Sequence, residues 1–126
     1  MILCDTIYTM VLRFVYFFST LILIASTHFV ALQFFLYWKY LWLDIPVHIL
    51  GGVSVALGFS LLPFFGITLS SRFNTIRTYV IVVFFVGVFW EIFEYIFDIS
   101  KIYEGESFVL DTTIDLSMDI AGALFG

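Results

Sequence analysis

Eight acidic and imidazole groups fall into three short runs with helical spacing. Asp44 and His48 are four residues apart; Glu91 and Glu94 are three apart, with Asp98 four further on; Asp111, Asp115 and Asp119 step by four. Residues three or four apart share a helix face, so each run presents a polar stripe. Together the stripes offer several carboxylates and one imidazole. Imidazole with carboxylates ligates Zn, Mn or Fe, while carboxylates alone suit Mg or Ca. Carboxylates crowded in a poorly solvated place also hold and pass protons. Other chemistries lack their residues. The chain has no G-x-S-x-G elbow and no Gly-rich phosphate loop ahead of a helix. Its one cysteine, Cys4, excludes an internal disulfide and a cysteine-based metal site.

The elements that carry these stripes are apolar. Of 126 residues, 63% are hydrophobic and 12% charged, against roughly 45–50% and about 25% in soluble domains. A soluble domain of this size could not bury so much apolar surface, whereas a bilayer solvates it. Seventeen Phe and three Trp suit lipid-facing and interfacial positions. The chain suits one transmembrane domain, residues 1–126. No basic run suggests nucleic acid as a partner. The expected partner is the lipid bilayer.

Four apolar segments follow one another. The first, about 14–38, lies between Arg13 and Lys39, whose 25 intervening residues suffice to cross a hydrocarbon core of roughly 30 Å. It is too long for the apolar core of a signal peptide and is read as a retained span. The second, about 45–65, has Pro46 in its first turn, Asp44 as its expected N-cap, and the small residues Gly51, Gly52, Ser54, Ala56 and Gly58. Small residues allow close helix approach in lipid, which places this helix centrally. The third segment is about 78–97 and the fourth about 112–126. Fifteen residues rise about 22 Å, short of a crossing, so the fourth is read as a helix cut short, with a half-span as the alternative. The fold class expected is an all-α transmembrane bundle.

Sequential spans alternate direction, so the start of the second, the end of the third and the start of the fourth share one membrane side. The three stripes converge there. A charge at the bilayer centre costs about 2.5–3.5 kcal/mol on insertion scales, and no Lys or Arg lies within these helical stretches. A divalent cation is the expected neutraliser. His48, Glu91, Glu94, Asp115 and Asp119 are the expected ligands, Glu94 the expected general base, and Asp44 and Asp111 the expected supporting shell. Asp98, Glu104 and Glu106 read as solvated loop charges. His28 reads as an interhelical hydrogen bonder, and Trp90 and Tyr95 as packing or belt residues.

The run Asp44-Ile-Pro-Val-His48-Ile-Leu-Gly51-Gly52 resembles the D-x-x-x-H-x-x-G signature of VanZ-like and YjdF-like bacterial membrane proteins. Trp90-Glu91-Ile-Phe-Glu94 resembles their acidic helix, and Asp111 to Gly122 their closing D-x-x-x-D-x-x-x-[DN]-x-x-G helix. The resemblance covers about residues 44–122. It implies a small multi-span membrane protein, linked in VanZ-like members to glycopeptide resistance. The function expected is a metal site acting on a lipid-linked small molecule. An ion or proton transport component and a purely structural polar network are the alternatives. Arg13, Arg72 and Arg77 on one side, against Lys39 and Lys101 on the other, favour a cytoplasmic N-terminus in the cell membrane.

Overall fold

The computed structural model describes residues 2–97 and 107–126, and every described element is helical. Asp98, Lys101, Glu104 and Glu106, read above as loop residues, lie outside the described residues. Three stretches, Ile7–Gln33, Leu41–Ser60 and Ile76–Phe97, are long and apolar enough to cross a membrane. The all-α bundle expected from composition is thus what forms.

Helix α1 spans Ile2–Gln33. It begins ahead of Arg13 and stops short of Trp38, unlike the segment bounded by Arg13 and Lys39. The break comes at Phe35, which takes the left-handed conformation with φ 54°, an uncommon choice for a bulky residue. The chain then folds back through the single turn of α2 (Leu36–Lys39) and a 3-10 turn at Leu41–Leu43. Tertiary contact holds this reversal: the Tyr37 hydroxyl lies 2.9 Å from His28 Nδ1, with ring centroids 5.6 Å apart. His28 therefore bonds across the turn that follows its own helix. Burial, reinforced by the Asp44 and Glu94 carboxylates, pushes the Tyr37 hydroxyl well above its usual pKa, so it keeps its proton.

Helix α3 spans Asp44–Ser60. The 3-10 turn leads directly into it, and Leu43 occupies the N-cap position with helical dihedrals and no side-chain cap bond. Asp44 is therefore the first helical residue and not the cap. Its carboxylate turns instead toward His48, one turn on. Pro46 sits in the first turn, where its missing N–H breaks no ladder bond. A 3-10 turn at Leu62–Phe65 follows and ends at Gly66, whose φ of 79° is open to glycine at no steric cost. Helix α4 spans Ile76–Phe97 and α5 spans Phe108–Ala123.

Helix α3 is central, as its small residues predict. α1 and α4 run antiparallel to it: Thr20 meets Ser54 at one contact, and Phe59 meets Tyr79 at the other. α5 runs parallel to α3, because Asp115 faces His48 while Gly122 faces Ile49 and Val53. Ala56, Val83 and Ala123 form the small buried core where α3, α4 and α5 meet. Outward residues such as Phe18, Ile22, Phe85 and Phe89 are more than half exposed, the surface expected to face lipid.

Candidate functional site

Close approach of α3 and α5 builds the site. A Cβ added to Gly52 would collide with the backbone of Asp119, and one on Gly122 with the carbonyl of Ile49. Only glycine permits the two backbones to lie this near, and the approach carries Asp115 and Asp119 against the first turns of α3. Gly87 does the same service on α4. Its Cβ would stand 2.5 Å from Asp119 Oδ2 and 2.8 Å from Leu116. With Gly87 absent of side chain, Glu91 and Glu94 one and two turns later reach the same space.

His48, Glu91, Glu94, Asp115 and Asp119 are all buried, none more than 6% exposed. His48 lies at their centre. Its Nε2 faces Asp44 Oδ1 at 3.8 Å, Glu91 Oε1 at 3.9 Å and Asp115 Oδ1 at 3.9 Å. Its Nδ1 faces Asp119 Oδ1 at 3.3 Å. Ligand atoms of Asp44, His48 and Asp115 lie within 4.8 Å of one another, as do those of His48, Glu91 and Glu94. Glu91 is further fixed by Thr112, whose hydroxyl donates to Oε2 at 2.9 Å.

The three stripes therefore meet. Asp44 stands nearer the centre than the supporting position expected of it, directly opposite Nε2. Asp119 lies on the other imidazole nitrogen, where it orients the ring. Asp111 occupies the first turn of α5, at the half-buried margin of the cluster. Thr112 and Gly87 went unnoticed in the sequence, although each carries a signal. Thr112 precedes Asp115 by three residues, and Gly87 precedes Glu91 by four, so each lies on a polar stripe. Ser54 donates to Thr20 Oγ1 at 2.7 Å and joins α3 to α1 away from the acids. Trp90 packs edge-on to His28 and against Phe93, and its side chain also hydrogen-bonds Glu94 of the cluster.

Among the described residues three buried side-chain atoms lack a hydrogen-bond partner: His48 Nε2, Glu91 Oε1 and Asp119 Oδ2. The first two face one another. Leaving such groups unsatisfied costs about 1–3 kcal/mol each, so the arrangement calls for an occupant that interacts with both. Among the described residues no Lys or Arg pairs with these carboxylates. Residues 4–126 match the family described as predicted membrane protein (DUF2238). No curated protein and no solved structure is significantly similar to the chain.

Proposed function

We propose, for a chain that belongs to the DUF2238 family of predicted membrane proteins, that the cluster is a divalent-cation site acting on a lipid-linked substrate. The surroundings of His48 carry this reading. On this reading His48 Nδ1–H donates to Asp119, and Nε2, deprotonated when the ion is bound, faces three carboxylates. Electron-rich groups then converge on one point. Their separations of 3.8–3.9 Å exceed hydrogen-bond length, so a proton on Nε2 serves them poorly. A cation bound at about 2.0–2.2 Å from each donor spans such a gap.

On this reading Asp44, His48 and Asp115, whose ligand atoms lie within 4.8 Å of one another, hold the ion with Glu91 beside them, and Asp119 fixes the imidazole. When bound, the ion supplies Lewis acidity to a substrate oxygen or to water. Glu94 lies farther from Nε2, within 4.8 Å of the His48 and Glu91 ligand atoms, and is suited to accept a proton as general base. Hydrolysis or group transfer is the reaction class this set serves. A proton relay fits less well, because the cavity that continues along α3 beyond Asp119 is lined by apolar side chains and Ser54, whose hydroxyl donates to Thr20. The motif runs at Asp44, Glu91 and Asp111 support a VanZ-like or YjdF-like kinship as the finer assignment.

Elemental analysis of the purified full chain, after loading with Zn, Mn, Fe or Mg and desalting, tests the proposal. About one ion per chain is expected in the wild type, falling to background in His48→Ala with helical content unchanged. No stoichiometric ion in the wild type would leave a structural polar network as the role of the cluster.

A further inference from the structure

Two apolar cavities extend from the cluster along α3. The first, about 170 Å³, lies between α1, α3 and α4. Leu21, Ile24, Val55, Val83 and Val86 wall it, and His48 and Asp119 line its polar end. The second, about 410 Å³, continues past Gly58 to Leu62. Leu21, Ser54 and Val55 line both, so the two form one groove. From His48 to Leu62 it follows 14 residues of chain, about 21 Å at helical rise. Its one hydroxyl is already engaged, since Ser54 donates to Thr20. The walls therefore ask for no polar partner until the acids are reached.

We infer that this groove binds one acyl chain of a membrane phospholipid, with the phosphate end at the His48 cluster. Apolar cavities of about 150 Å³ exclude water and accept hydrocarbon. The groove lies in the cleft between α1 and α4, whose outer faces carry the exposed Phe18, Ile22, Phe85 and Phe89, so surrounding lipid reaches it sideways. Acyl phospholipid is the hydrocarbon present there in greatest excess, and mass action favours it. A phosphate oxygen is a ligand that a carboxylate-held cation accepts. The position of the phosphate rests on the cation reading above; the seat of the acyl chain does not.

Photolabelling of the purified full chain in detergent, with a phosphatidylcholine bearing a mid-chain diazirine, tests the inference. Adducts are expected on Leu21, Val55 and Val86. Val55→Trp fills the groove at the junction of its two parts and Val86→Trp fills it at the margin. In each the yield should fall about tenfold, while Phe85→Trp on the outer face leaves it unchanged. Val86→Trp should keep the helical circular-dichroism signal and the elution volume of the wild type, which shows that it folds. Adducts spread over Phe18, Ile22 and Phe85, or yields indifferent to both groove-filling changes, overturn the inference. So does displacement of the probe by an equal concentration of polyisoprenyl phosphate. Groove labelling in a wild type without cation would sink the cation reading and leave the groove standing; cation without groove labelling would do the reverse.

Discussion

The α3–α5 seam and the α1–α3 seam use the same small-residue helix in opposite ways. On the α5 side, Gly52 and Gly122 bring backbone against backbone, and Gly87 of α4 makes room for Asp119. On the α1 side, the small residues face bulky partners. Gly58 meets the ring of Phe17, and Ser54 meets Thr20. The first seam closes until side-chain oxygens crowd around one imidazole. The second stays open and leaves a groove. Without a hydrophobic driving force between helices in lipid, how near two helices come depends on what stands between them. Here that one variable separates the polar pocket from the apolar one.

The contrast is most exposed to the smallest possible insertion. Gly52→Ala or Gly122→Ala puts a methyl into backbone that has nowhere to go, and should destabilise the bundle by about 3 kcal/mol. Gly58→Ala meets only a ring edge at 3.0 Å, which can swing, and should cost less than about 1 kcal/mol. Unfolding by SDS in mixed micelles, followed by circular dichroism, compares the three. Equal costs would erase the distinction between the seams.

Next comes the hold on the imidazole. Asp119→Ala removes the partner of Nδ1 and should weaken cation binding about 10–100-fold, read by competition with a chelating dye. Binding unaffected by that change would return Asp119 to the status of a packing residue. A smaller effect is expected at Thr112→Val, which removes one hydrogen bond from Glu91. A loss of about 1 kcal/mol corresponds to roughly fivefold in affinity. The smallest belongs to the open seam: Ser54→Ala loses the bond to Thr20 and should cost about 0.6 kcal/mol, with cation affinity untouched. A marked loss of cation in Ser54→Ala would mean that the two seams are coupled.

Much of the site was legible because helical spacing is a local property. Asp44 and His48, Glu91 and Glu94, and Asp115 and Asp119 each declare a face, and alternation of spans brings the faces to one side. What spacing does not carry is the depth and rotation of one helix on another. Those decide that Asp119 takes Nδ1 while Asp44 reaches Nε2. Nor does local propensity foretell the end of α1. Phenylalanine rarely adopts the dihedrals of Phe35, and the preference is overridden by the Tyr37–His28 contact nine residues apart. The small residues of α3 marked a central helix, but Gly51-Gly52 read only as packing. That Gly52 instead sets the position of the carboxylates requires the partner helix to be seen.

The parallel course of α3 and α5 has an electrostatic consequence. Both helices open at the cluster, so both direct the positive end of their peptide dipoles toward the acids, roughly half an elementary charge each. α4 ends there and contributes a negative end of similar size. The balance of backbone fields favours negative charge on this side of the bundle, even before any ion or proton arrives. Asp44 and Asp111, each in a first helical turn, lie where that field is strongest. An antiparallel α5 would have turned the balance against them.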